Sequence, residues 1–130
     1  MTTFVDTSAL FALLDEDDAN HATASAGLTR LRDEDLVTHA YILVETLALV
    51  SRRLGWGAVE RILDAIIPLI AVFPVEHSIH EEALRVYREA ASNRVSFVDR
   101  TSFTFMRAQR LETAFAFDVD FTTAGFELIS

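Results

Sequence analysis

Short apolar runs that read as β-strands alternate with helical stretches along this chain, and that alternation restricts its fold more than any other feature. Thr2 to Val5 is a first strand of β-branched and aromatic residues. Asp6-Thr7-Ser8 then offers helix-capping chemistry ahead of Ala9-Leu10-Phe11-Ala12-Leu13-Leu14. A turn at Asp15 to Asp18 leads to a second helix, headed by Asn20-His21 and running to about Arg32. Leu36-Val37-Thr38 reads as a buried strand. The helix after it, from about His39 to Arg53, is apolar at nearly every position between Ala40 and Val50, the pattern of a helix covered on most sides.

Gly55 and Gly57 interrupt the pattern, and Trp56 to about Ile67 forms another helix. Leu69 to Val75 is a strand that Pro74 assigns to a sheet edge. His77 to Ala91 is amphipathic; Ser92-Asn93-Arg94 turns; Ser96-Phe97-Val98 reads as extended and Asp99 to Arg110 as helical. Thr113 to Phe117 is a strand, with another at Phe126 to Ile129 after a turn at Gly125. Such alternation implies an α/β domain around a mostly parallel sheet. Ligands in such sheets bind beyond the carboxyl ends of the strands, where Asp6 and Asp118 fall.

The 130 residues, 51% of them hydrophobic, suit a single domain over 1–130 that buries about two-thirds of its unfolded surface. The longest apolar run, Ile62 to Val75, is broken by Asp64, Pro68 and Pro74, so no membrane span is expected. The first residues enter a strand without the basic segment of a signal peptide, and cysteine is absent, which excludes disulfides and thiolate zinc sites. A soluble cytoplasmic protein is the expectation. The net charge of −9 argues against direct binding to duplex DNA, although a metal-charged site reverses the sign locally.

Four acids lie in apolar surroundings: Asp6 in Phe4-Val5-Asp6-Thr7-Ser8, Glu45 in Leu43-Val44-Glu45-Thr46-Leu47, Asp99 in Phe97-Val98-Asp99-Arg100-Thr101, and Asp118 in Phe115-Ala116-Phe117-Asp118. Singly, each has an ordinary explanation. Asp6 and Asp99 precede helices and serve equally well as N-caps, and Asp118 as a loop residue. Together they form a different object. Carboxylates about 5 Å apart repel by about 3 kcal/mol per pair at an effective dielectric near 20, so four of them protonate or recruit cations. Oxygen-only ligands favour Mg²⁺ or Mn²⁺ over Zn²⁺, and these ions serve phosphate-ester hydrolysis.

At these residues the chain resembles the PIN-domain nucleases, and among them the VapC-type toxins of bacterial toxin–antitoxin pairs. The likeness is carried by Phe4-Val5-Asp6-Thr7-Ser8-Ala9-Leu10, Val44-Glu45, Ser96-Phe97-Val98-Asp99, and Phe117-Asp118-x-Asp120-Phe121 with Ala124-Gly125-Phe126. It implies a three-layer α/β/α domain and a Mg²⁺- or Mn²⁺-dependent endoribonuclease whose metal-site acids are Asp6, Glu45, Asp99 and Asp118. Thr7, or Ser8, would support the site by hydrogen bonding, and Asp120 is an auxiliary acid if the chain stays extended beyond Asp118. The resemblance also implies an RNA substrate, a VapB-like antitoxin partner and a homodimer. A PIN-like binding module without nuclease activity and a housekeeping RNase are the alternatives.

All eleven basic residues are arginine. The absence of lysine weighs against haloacid-dehalogenase-like phosphatases and receiver domains, both of which use one; the former also carry a second Asp where Ser8 stands. Arg100, Arg107 and Arg110 share a helical face, and Arg100, next to Asp99, is the candidate RNA contact; Arg52-Arg53 follow the Glu45 helix. Phe103, Phe105, Phe115 and Phe117 read as core, His21 as structural, and Trp56 as exposed at an element boundary.

Overall fold

The computed structural model describes residues 1–129. The elements are β1 (Thr2–Val5), α1 (Thr7–Leu14), α2 (His21–Arg30), β2 (Asp35–His39), α3 (Ala40–Leu54), α4 (Trp56–Arg61), β3 (Ile70–Phe73), α5 (His77–Ala90), α6 (Phe97–Ala108), β4 (Thr113–Phe115), α7 (Asp120–Thr123) and β5 (Glu127–Ile129). A π-helical turn (Ile62–Ile66) and a 3-10 turn (Ile67–Leu69) carry α4 towards β3. Gly55 sits at φ 87° between α3 and α4, a conformation that β-carbon sterics deny most residues.

The strands form one sheet in the order β3-β2-β1-β4-β5, and every pairing is parallel. β1 lies at the centre, so its residues Thr3, Phe4 and Val5 are buried on both faces and polarity is tolerated only where it is bonded. Thr3 and Thr113 accordingly share a hydroxyl hydrogen bond of 3.3 Å across β1 and β4. Thr38 donates to the Val5 carbonyl at 2.8 Å. β3 is an edge strand, and Pro74 follows its last residue.

Right-handed parallel crossovers distribute the helices over both faces. The β1–β2–β3 crossovers place α1 to α4 on one side, and the return from β3 to β4 and β5 places α5 to α7 on the other. Within the first layer α1 packs on α2 and α3, and α3 on α4; within the second α5 packs on α6. The core is one continuous cluster that includes Phe4, Leu10, Ile42, Phe105, Phe115 and Phe121. The chain leaves β1 towards β2 but returns to β4 on its other side, so the carboxyl ends of β1 and β4 adjoin where the strand order reverses. That is the place where α/β sheets open a crevice.

Three sequence expectations change. Phe97 and Val98 are not extended: Ser96 caps α6 by accepting the Asp99 amide at 3.0 Å, so Asp99 lies within the first turn and is not itself the N-cap. β4 stops at Phe115, and the chain turns into the short helix α7 instead of continuing extended to Asp120. α3 buries Ile42, Thr46 and Val50 but leaves Val44 67% exposed, so it is covered on one face rather than on most sides. Among the described residues no helix is long and apolar enough to cross a membrane.

Candidate active site

Asp6 is held by the strand it ends. Its amide donates to the Phe115 carbonyl of β4 at 3.1 Å, which continues the β1–β4 pairing by one bond. It is the N-cap of α1, with Oδ2 accepting the Ser8 amide at 3.1 Å and the Ser8 hydroxyl at 2.6 Å. The Ser8 Oγ in turn accepts the Phe117 amide at 2.9 Å. One small side chain thus fixes Asp6 and the segment leading to Asp118 relative to each other. Thr7 does something else: its hydroxyl accepts from Thr46 at 3.0 Å, tying α1 to α3 beside Glu45.

Asp118 follows β4, and its Oδ1 accepts the Asp120 amide at 2.9 Å, opening α7. Although the chain is helical there, Asp120 still turns inward. Carboxylate oxygens of Asp99, Asp118 and Asp120 lie within 4.8 Å of one another, the one such group able to hold a metal among the described residues. Glu45, partly buried in α3, is near enough to act on both Asp6 and Asp99 through its charge. Asp99, Asp118 and Asp120 thus form the close group, while Asp6 and Glu45 act on it through their charges without belonging to it.

Their protons record the crowding. Burial, partly offset by the two Ser8 hydrogen bonds, pushes the Asp6 carboxyl up to about 6, and the charges of Glu45 and Asp118 add to the rise. Asp99 is pushed well above the ordinary carboxylate range, first by burial and then by the charges of Asp6 and Asp118, a hydrogen bond with Asp118, and Glu45. Asp6 is 3% exposed, and its Oδ1 is buried without a hydrogen-bond partner among the described residues. An orphaned anionic oxygen facing further carboxylates suits a divalent cation with oxygen ligands.

The arginines divide. Arg107 donates to the Ala124 carbonyl at 2.9 Å and lies 5.3 Å from the Phe126 ring centroid, so it braces α7. Arg110 falls beyond the end of α6 at φ 58°, and Arg53 lies 6.0 Å from the Phe11 ring centroid. The shared face of Arg100, Arg107 and Arg110 is thus no single clamp. Arg100 alone stays beside the acids, with a buried and unpartnered Nε. Phe103, Phe105 and Phe115 are core, and Trp56 is 66% exposed. His21 bonds the Ala12 carbonyl through Nδ1 at 2.7 Å, a structural link.

Sequence reasoning passed over His39. Its ring is wholly buried, and Nδ1 accepts the Ile42 amide at 3.4 Å as the cap of α3. That assigns the proton to Nε2, which donates to Ser102 at 2.8 Å, while Ser102 donates to the Val98 carbonyl at 3.1 Å. Burial lowers the ring to about 4, so it stays neutral. The link joins the helix of Glu45 to the helix of Asp99. A histidine directly before an apolar helical run was the available signal. A cavity of about 650 Å³ lies elsewhere, at the amino ends of the strands beside Leu36, Ile70 and Leu111. It lacks the acidic convergence, so size does not locate the chemistry here.

The PIN domain family model matches residues 3–127. This chain belongs to the PIN domain family. Among curated proteins, it is similar to the 23S rRNA-specific endonuclease VapC20 of Mycobacterium tuberculosis, 39% identical over 126 residues that cover 95% of this chain and 94% of that protein. The crystal structure of M. tuberculosis VapC20, described as a Sarcin–Ricin loop cleaving toxin, superposes with a TM-score of 0.85 at 34% identity, covering 97% of this PIN domain chain and 96% of the other. FitAcB from Neisseria gonorrhoeae shares the fold at a TM-score of 0.73 and 20% identity, covering 100% and 97% of the two chains.

Proposed function

We propose that this PIN domain protein is a divalent-metal-dependent endoribonuclease, the toxin of a toxin–antitoxin pair. The observation that carries the reading is the close group of Asp99, Asp118 and Asp120 after β4, with Asp6 and Glu45 near enough to act on Asp99 through their charges and one Asp6 oxygen left orphaned. Asp6, Glu45, Asp99 and Asp118 would hold Mg²⁺ or Mn²⁺, with Asp120 as auxiliary. The bound ion supplies a water of lowered pKa and charge stabilisation for a phosphodiester in displacement.

The chain's own contribution is positional. Ser8 occupies the Asp6 Oδ2 and leaves Oδ1 facing the acids, so the carboxylate is aimed before any ion arrives. Ser96 fixes the first turn of α6 and hence Asp99, and the Asp120 amide fixes Asp118. Thr7 sets the spacing of α1 and α3, and so of Asp6 and Glu45. The chain has no lysine, and both nitrogens of His39 are engaged, so neither supplies a free base.

The likeness to VapC20 supports ribosomal RNA as the first substrate to test, with Arg100 as an RNA contact. The reading further includes a VapB-like antitoxin, a homodimer and a cytoplasmic location; duplex DNA is not a substrate in it. The purified protein should cut ribosomal RNA with Mg²⁺ or Mn²⁺ and stop with EDTA, and Asp99→Asn should remove cleavage while leaving the circular dichroism spectrum intact. Cleavage that survives EDTA or the substitution would overturn the assignment.

A further inference from the structure

A second small cavity, about 170 Å³, opens beside the acids between α6, α7 and the segment after α5. Arg100, Thr104 and Arg107 enter it from one face of α6, spaced four and three residues apart, and Asp120 and Thr123 from α7. Asp120 belongs both to this wall and to the acidic group, so the two sites share a partition.

The arginines in that wall are in different states. Arg107 is spent on the Ala124 carbonyl and the Phe126 ring. Arg100 forms no side-chain hydrogen bond and no ion pair among the described residues, although its Nε is buried. A guanidinium N–H withdrawn from water without an acceptor is costly, and arginines elsewhere in the chain avoid it. Arg85, for instance, bonds Glu82 at 2.6 Å and Glu89 at 2.8 Å. Asp120 lines the same cavity but forms no ion pair with Arg100 among the described residues, and its carboxylate groups with Asp99 and Asp118.

We propose that this cavity is a phosphate subsite for the RNA strand, in which Arg100 grips the phosphodiester neighbouring the one that is cut. The inference rests on the nuclease reading and deepens it. A guanidinium fork matches two oxygens of a phosphate bidentately, and the anion adds a charge attraction that a neutral ligand lacks. The polyanion must also cross a protein of net charge −9, so a cation set against the acidic centre supplies the attraction that the surface as a whole lacks. The subsite fixes which phosphate reaches the acids, and Arg100 acts there as a specificity-determining residue.

The test uses the full chain and the shortest oligoribonucleotide that the wild-type protein cuts. Arg100→Gln should raise KM about tenfold, as expected for loss of a charged hydrogen-bonded contact, with kcat nearly unchanged. The slope of log(kcat/KM) against log[salt] should shrink by about 0.7, one single-strand phosphate contact. Arg100→Lys should restore the slope but only part of KM. The melting temperature should hold or rise, because an unpartnered buried group has been removed. Unchanged KM and salt slope in an active enzyme would overturn the subsite while leaving the nuclease reading in place. A loss of melting temperature with an unchanged slope would likewise assign Arg100 to structure, and a slope unchanged for RNA but weakened binding of a protein partner would assign the cavity to that partner's carboxylate. Wild-type protein that cuts no RNA would remove both proposals at once.

Discussion

Asp6→Asn should make the metal-free protein more stable at pH 8, although it removes a carboxylate at the centre of the site. In the native state Asp6 is raised from 3.8 to about 6. Below pH 3.8 the carboxyl is protonated in both folded and unfolded chains and contributes no pH-dependent cost. As the pH climbs from 3.8 to about 6, the unfolded chain loses this proton and the native state keeps it, so native stability falls. Above pH 6 the cost is complete; at 1.36 kcal/mol per tenfold it amounts to about 3 kcal/mol.

The side chain is buried, so solvent screening removes little of this figure. Asparagine keeps an acceptor for the Ser8 amide and carries no charge. Urea unfolding followed by far-ultraviolet circular dichroism, in EDTA, should therefore give a variant-minus-wild-type difference that grows by about 2–3 kcal/mol between pH 4 and pH 8. Tryptophan fluorescence would serve poorly, because Trp56 is exposed in the native state. Saturating Mg²⁺ should reverse the order at pH 8, since only the wild-type site gains binding energy. A difference that does not vary with pH would refute the claim that burial, with the Glu45 and Asp118 charges adding to it, makes the ionised Asp6 costly in the metal-free protein.

Ser8→Ala should strand the Phe117 amide and leave the Asp6 Oδ2 with only the residue-8 amide, costing about 1–3 kcal/mol in urea unfolding. Cleavage should fall by about 10–100-fold, the usual effect of losing an outer-shell partner, and added metal should recover part of it. His39→Leu should orphan the Ile42 amide and the Ser102 contact, lowering stability by about 1–3 kcal/mol, whereas His39→Asn should recover the cap; thermal melts of the pair decide it.

The strands and the identity of the acids were legible because burial leaves a direct mark on composition. Val5 before Asp6 and Phe115 before Asp118 are apolar for the sheet, and the charge that follows each marks the sheet's edge. The α6 start was misread because Phe97 and Val98 have strand-like side chains; the stronger signal was Ser96 three residues ahead of Asp99, the spacing of a capping box. Asp120 was placed near the site on the assumption of an extended chain. It arrives there through a helical turn whose Asp120 amide bonds the Asp118 carboxylate, and a four-residue helix leaves no periodicity to read. The exposure of Val44 was illegible for another reason: an apolar helix face looks the same whether the protein's own core or another surface is to cover it. Thr7 and Ser8 could not be separated by sequence, since either hydroxyl can reach Asp6 and only the packing of α3 claims one of them.

β4 lies late in the polypeptide yet pairs directly with β1, and Asp118 comes later still. A ribosome making this chain has therefore produced nearly all of it before the pocket can close. In the proposed reading, translation that stops before Asp118 yields a fragment lacking one of the metal-site acids, so drawing the cutting centre from distant segments would delay activity until late in synthesis.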